Sequence, residues 1–166
     1  MSDMYREILV KREMPASKKI LKGAMIAASA LLIICGLAIW PLLLAGIVLA
    51  VVTLIVTPKF DVEYEYLYVN GELDIDAIYS KQKRKRAASY DMAELEILAP
   101  ENSHALDSYK NNKDMKMQDF TSGNPQAKAY MMVFNSDKTR SCVKVELDDV
   151  IVNDIRRIAP RKVNLY

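Results

Sequence analysis

The sequence predicts a membrane α-helical hairpin joined to an α+β domain, mainly antiparallel β, that closes with a C-terminal helix. Three observations carry this expectation. The 166 residues include 23 basic and 21 acidic side chains, yet the 35 consecutive residues from Gly23 through Thr57 contain none of them. Beyond Lys59 the apolar residues alternate with polar ones in several short runs separated by turn residues. The last run, after Asp148, changes to helical spacing. So uneven a distribution excludes an ordinary soluble globule, a disordered chain and a small disulfide-stapled domain.

The uncharged stretch comes first. A helix needs about 20 apolar residues to cross a hydrocarbon core roughly 30 Å thick, and 35 residues as one helix would reach beyond about 50 Å. Two crossings fit, predicted as Lys19–Ile39 and Leu42–Thr57, with the break at Trp40-Pro41. Proline lacks a helix donor and biases the residue before it away from helical geometry, while tryptophan favours the headgroup level. Small residues recur at Gly23, Ala24, Ala27, Ala28, Ala30 and Gly36, then at Ala45, Gly46 and Ala50, and allow close backbone approach. The stretch holds no ionisable group, which argues against an ion pathway or proton relay. Lys11, Arg12, Lys18, Lys19 and Lys22 precede it and Lys59 follows. Positive flanks stay inside and a two-helix hairpin returns to its starting side. The expected location is therefore the plasma membrane, multi-pass, with both termini cytoplasmic. The stretch is too long for the apolar core of a cleaved signal peptide. Cys35 and Cys142 are expected as unpaired thiols acting as small apolar residues, as in a reducing compartment, and neither has a zinc-ligand spacing.

Residues 59–166 are expected to form the polar domain. In Asp61-Val-Glu-Tyr-Glu-Tyr-Leu-Tyr-Val69, one face takes Val62, Tyr64, Tyr66 and Tyr68, and the other takes Glu63 and Glu65. Asn70-Gly71 is the strongest two-residue hairpin signal, and Glu72–Tyr79 alternates again. Lys81–Arg86 reads as a basic turn or strand start leading into Arg86–Asp91. Further strands are expected at Glu94–Leu98, Met115–Phe120, Lys128–Phe134 and Arg140–Leu147. The third of these is apolar on both faces, as a central strand is. Glu101–Asn112 reads as a loop with a brief helical turn, and Thr121–Pro125 and Asn135–Lys138 as turns. Asp148-Asp149 caps a helix with Ile151, Val152, Ile155 and Ile158 at helical spacing, Arg156 and Arg157 in its last turn and Pro160 beyond. About seven short antiparallel strands closed by one amphipathic helix is the pleckstrin-homology-like plan. Residues 1–18 precede the first crossing. Their Tyr5, Ile8, Leu9 and Val10 give Met4–Lys11 the character of an added edge strand, the alternative being an amphipathic lead-in to the first helix.

Two apolar helices followed by Tyr64-Glu-Tyr, Gly71-Glu-Leu-Asp-Ile, Lys83-Arg-Lys-Arg, Asp91-Met and Leu95-Glu-Ile resemble small bacterial membrane proteins bearing a bacterial pleckstrin-homology-like domain. Ala99-Pro-Glu-Asn-Ser-His-Ala-Leu-Asp-Ser-Tyr109, Ser122-Gly-Asn-Pro125 and Ala159-Pro-Arg-Lys162 are similar to one uncharacterised family of such proteins. The resemblance covers nearly the whole chain and implies a fold and a topology. It brings no activity with it.

Few residues offer chemistry. Ser103, His104 and Asp107 share one loop, but a nucleophilic triad needs a base oriented by a third group beside an oxyanion hole, and no nucleophile elbow is present. Turn capping is the simpler role for Ser103 and Asp107. Asp61, Glu63, Glu65, Asp74 and Asp76 lack calcium-loop spacing and read as a solvated face. No phosphate-binding, dinucleotide-binding or metalloprotease motif occurs, so no catalytic residue, metal or cofactor is expected. Lys81, Lys83, Arg84, Lys85 and Arg86 place five cations in six residues and are the candidate contacts to anionic lipid headgroups, each contributing on the order of 1 kcal/mol near the surface. Nucleic acid is not an expected partner, because the chain from Lys59 onward carries 17 basic and 18 acidic residues. The expected function is a membrane-anchored binding or scaffold module, and its expected partners are the lipid bilayer, anionic lipids and a membrane protein. The alternatives are an accessory subunit of a larger membrane complex and a small membrane enzyme using the His104 loop.

Overall fold

The computed structural model describes residues 4–110, 115–136 and 139–165. The chain forms two compact units. One comprises Glu13–Val62 with Tyr79–Lys83, the other Met1–Arg12, Glu63–Ile78 and Arg84–Tyr166.

The first unit is a pair of helices, α1 (Ala16–Gly36) and α2 (Trp40–Val56), followed by a 3-10 turn at Thr57–Phe60. Their 21 and 17 residues rise about 32 and 26 Å at 1.5 Å each, and α1 and the segment Trp40–Phe60, α2 with its 3-10 turn, are long and apolar enough to cross a membrane. The reversal lies at Leu37–Ile39 rather than at Trp40-Pro41. Pro41 sits in the first turn of α2, where its missing N–H would have had no helical partner anyway. The buried positions are small: Ser29 and Gly36 on α1, Gly46 and Thr53 on α2. Each pair is seven residues apart, which keeps one face of each helix against the other. The approach is close. A Cβ on Gly36 would lie 2.3 Å from the Leu43 backbone nitrogen, and one on Gly46 would lie 2.8 Å from that of Ile33. Gly23 has nothing within 4 Å, so its smallness plays no part in this seam. Ser29 and Thr53 return their hydroxyl protons to carbonyls of their own helices, Ile26 O at 2.8 Å and Leu49 O at 2.8 Å.

The second unit contains two four-stranded sheets. The first runs in the order β1-β2-β3-β4, with β1 Tyr5–Lys11, β2 Val62–Val69, β3 Glu72–Tyr79 and β4 Lys83–Asp91. The expected edge strand is present. It pairs antiparallel to β2 in unbroken register from Tyr5↔Val69 to Lys11↔Glu63. Asn70 and Gly71, at φ 49° and 93°, make the turn that two positive-φ residues permit. The inner face buries Tyr64, Tyr66 and Tyr68 of β2 with Leu73, Ile75 and Ala77 of β3, as the alternation dictates.

The second sheet has the order β5-β7-β8-β6, from β5 (Leu95–Pro100), β6 (Lys116–Asp119), β7 (Tyr130–Ser136) and β8 (Thr139–Val145). β7 is central, and Tyr130 through Phe134 are all buried, the pattern of a strand covered on both faces. β6 departs from the expected antiparallel plan. It runs parallel to β8, Lys116↔Ser141 through Asp119↔Lys144, because β7 lies between them in the chain and runs opposite to both. The loop after β5 holds a 3-10 turn, His104–Leu106, and one helical turn, α3 (Asp107–Lys110). Part of that expected loop, 111–114, and part of the expected turn at Asn135–Lys138 lie outside the described residues.

α4 (Asp149–Ile158) ends the fold as its period requires. The Asp148 carboxylate caps it by accepting from Ile151 N at 2.9 Å. Ile151, Val152 and Ile155 are buried, whereas Ile158, expected on the same face, is half exposed as the last residue of the helix. Asp154 is the unexpected member of that buried face.

Candidate functional site

The basic run divides into two parts with different partners. Ser80 and Lys81 turn the chain with φ of 47° and 58°. The Ser80 hydroxyl donates to Pro58 O at 3.1 Å and its backbone N–H to Asp61 O at 2.8 Å. Lys81 is thereby fixed beside the segment that leaves α2. Lys18, in the first turn of α1, places its ammonium 5.8 Å from the Phe60 ring centre. The open end of the helical hairpin thus gathers Lys18, Lys59 and Lys81, with Lys19 and Lys22 in the opening turns of α1 and Lys83 after the turn. Among the described residues no acidic side chain forms an ion pair with any of these six.

Arg84 and Arg86 are committed elsewhere. They lie on the outer face of the first sheet, where Arg84 pairs with Glu65 and reaches Asp76 at 2.7 Å. Arg86 spans Asp74 at 2.9 Å and Asp76 at 3.4 Å. Ser89 donates to Asp74 at 2.6 Å. Arg84 and Arg86 share parity and Ser89 does not, so the alternation of β4 slips by one residue between them, as a bulge would produce. Three carboxylates expected on a solvated face therefore belong to a cross-strand ladder with two arginines. Glu63 is buried beside the β1 pairing rather than solvated. Lys85, like Lys81 and Lys83, is exposed.

The Ser103, His104 and Asp107 group lies in the loop after β5. His104 is fully exposed, and its Nδ1 lies 3.2 Å from the neighbouring Asp107 carboxylate. Ser103 caps the 3-10 turn by accepting from Ala105 N. Among the described residues no three His, Cys, Asp or Glu side chains converge as a metal site needs. Cys35 and Cys142 are free thiols; Cys35 is exposed on α1, whereas Cys142 is buried, which pushes its thiol pKa up.

The buried polar groups tie α4 and the strands together. The Tyr68 hydroxyl donates to Asp154 Oδ2 at 2.8 Å, and Arg157 donates to Oδ1 at 2.6 Å. The Tyr66 hydroxyl donates to Phe120 O at 2.9 Å. Burial raises the pKa of both tyrosines, and at Tyr68 the bond to Asp154 adds to it. Tyr90, stacked on Phe134, is pushed up to about 12, chiefly by burial. Sequence periodicity places these tyrosines inward but cannot say which polar atom each will meet.

Two four-stranded sheets followed by an amphipathic C-terminal helix are consistent with a pleckstrin-homology-like domain, a class of binding and scaffold modules. The chain belongs to the bacterial PH-like domain family DUF6106, whose family model matches residues 2–165. Searches of curated proteins and of solved structures return no match.

Proposed function

We propose that this protein is a membrane-anchored binding module, with α1 and α2 crossing the plasma membrane and the PH-like domain on its cytoplasmic side. One observation carries the reading. β1 enters α1 and β2 leaves α2, and β1 pairs with β2 over the whole of β1, Tyr5–Lys11. Both ends of the helical hairpin are stitched into one strand pair, so both must emerge on the same side. The lysines around those ends favour the cytoplasmic side. Lys18, Lys19, Lys22, Lys59, Lys81 and Lys83 then lie at the level of the headgroups, and anionic lipid is their ligand. Arg84 and Arg86 contribute less, because their charge is already opposed by Glu65, Asp74 and Asp76. The role is binding rather than catalysis, a reading supported by the full exposure of His104, whose ring meets the exposed Asp107 carboxylate.

The test uses the full chain in lipid nanodiscs, because a fragment starting at Lys59 lacks β1. A neutral amine-acylating reagent is applied and the modification of each lysine is followed by mass spectrometry. Lys81 and Lys83 should react more slowly in discs containing anionic lipid than in neutral discs, and salt should close the gap as it screens exposed charge. Equal rates in both lipids would contradict lipid binding by these residues.

A further inference from the structure

We infer that β1 is the seam of a symmetric dimer, in which the β1 strands of two copies pair antiparallel, edge to edge, around Leu9. An edge strand presents unpaired N–H and C=O groups, and natural sheets protect such edges. The far side of β5 is covered by the C-terminal tail, where Leu98 N donates to Lys162 O and Asn164 N donates to Leu98 O, both at 2.8 Å. The outer edge of β4 carries Lys83, Arg84, Lys85 and Arg86, a run of charge that discourages pairing. β1 has neither device. It has one neighbour, β2, and an open cleft of about 600 Å³ runs along Arg6–Lys11.

The backbone fixes which residues face the free side. Asn70 N donates to Met4 O at 3.0 Å, so Met4 and every second residue after it, Arg6, Ile8 and Val10, turn their main-chain groups toward β2. Tyr5, Glu7, Leu9 and Lys11 turn theirs to the free edge. The side chains of these four share the outer face of the strand and are exposed, Leu9 at 58%. Two identical strands that pair antiparallel must set these residues against one another about a two-fold axis, which leaves few registers. Centred on Glu7, carboxylate opposes carboxylate; centred on Lys11, ammonium opposes ammonium. Centred on Ile8 or on Val10, Leu9 is set against Glu7 or Lys11. Only when the axis passes between the two Leu9 residues does Glu7 of each copy face Lys11 of the other, with leucine against leucine. Three residue pairs then exchange two main-chain hydrogen bonds each.

Glu7 and Lys11 are available for this exchange. Among the described residues neither forms an ion pair, and Lys11 forms none with Glu63, its partner in the β1–β2 register. On the other face the same register sets Ile8 against Val10. It also sets Arg6 against Arg12, just past the end of the strand, and these cations are already opposed by Asp148 at 2.7 Å and Asp119 at 3.8 Å. One cation and one anion, placed symmetrically about an exposed leucine, make the strand its own complement, as an isologous contact requires. A peptide of a single charge sign would answer one of the two and oppose the other. The pair is closed, since each β1 has one free edge to give. Two copies anchored in one bilayer meet in this way with the two-fold axis along the membrane normal, and anchoring raises their effective concentration. The seam shares no residue with the lysines at the hairpin's open end, so this inference does not depend on lipid binding.

The experiment uses the full chain in detergent micelles and follows its mass by light scattering as the concentration is varied. A monomer–dimer equilibrium is expected. Cross-linking reads the register, in a background with Cys35→Ser and Cys142→Ala. Leu9→Cys should form a disulfide-linked dimer under mild oxidation, because the two copies of position 9 face each other. Glu7→Cys should not, its two copies lying roughly 14 Å apart along the strands at about 3.4 Å per residue. Charge reads the pairing. Glu7→Lys alone or Lys11→Glu alone sets like charges together at both contacts and should weaken the dimer about tenfold. Mixing the two single variants restores opposite charges at both contacts, as does combining the substitutions in one chain, and dimer should return in each case. A monomer at every concentration, equal cross-linking at positions 7 and 9, or no recovery in either the mixture or the double variant would each overturn the inference.

Discussion

At the scale of single residues, chemically identical changes at different places should have different effects. Gly36→Ala or Gly46→Ala should loosen the helical hairpin, since the added methyl meets backbone atoms at 2.3 to 2.8 Å that cannot step aside. A cost of about 1–3 kcal/mol is the usual penalty of overpacking. Gly23→Ala should cost nothing, with open space around it. Unfolding of the purified chain in mixed micelles, followed by circular dichroism, measures all three. Tyr68→Phe removes the proton donated to Asp154 and leaves that buried carboxylate to Arg157 alone, an expected loss of about 1–3 kcal/mol. Tyr5→Phe, on an exposed ring, should be close to neutral. The same buried phenols set the alkaline limit. Tyr66, Tyr68 and Tyr90 are raised above the ordinary value of 10.0, so the folded state holds their protons more tightly than the unfolded state. Their contribution is complete below pH 10 and is lost as the pH climbs through the folded values, about 12 for Tyr90. Phenolate absorbance from these three should therefore appear together with alkaline unfolding.

At the scale of elements, β1 matters most. Deleting residues 1–11 should expose the pairing edge of β2 and unseat Tyr64 and Tyr66, lowering the midpoint of urea unfolding by more than any single surface substitution does. Arg84→Gln with Arg86→Gln should cost more than Lys83→Gln with Lys85→Gln, because only the arginines complete a carboxylate network. The difference should stay near 1–2 kcal/mol, since exposed ion pairs contribute about 0–1 kcal/mol each. Much of this level was legible in the sequence. The period of two in β2 and β3, the Asn70-Gly71 turn, the doubly apolar β7 and the helical spacing of α4 all appear where local pattern puts them. What local pattern cannot carry is partnership. Nothing in Lys116–Asp119 announces that it will pair parallel to β8. Nothing in Glu65, Asp74 and Asp76 names Arg84 and Arg86 as neighbours, because the contact depends on strand order and register. The turn of the helical hairpin was misplaced for a related reason. Proline ends a helix in its middle but is at home in its first turn, and only the packing of Gly36 against Leu43 shows which applies.

At the scale of the whole molecule, the covalent order links the parts more tightly than either part alone requires. Four residues, Arg12 to Pro15, connect β1 to α1, and the 3-10 turn Thr57–Phe60 connects α2 to β2. A pair of strands thus begins and ends one helical hairpin, and the lysines cluster at that shared end. The central claim is that the hairpin crosses the membrane and returns, leaving the PH-like domain in the cytoplasm with the hairpin's turn outside. The direct measurement replaces Cys35 and Cys142, introduces single cysteines by Trp40→Cys or Ser122→Cys, and treats intact cells with a membrane-impermeant thiol reagent. The account predicts labelling at position 40 and protection at position 122 until the cells are lysed. Labelling at position 122 in intact cells, or protection at both positions with the protein recovered in the soluble fraction, would contradict it.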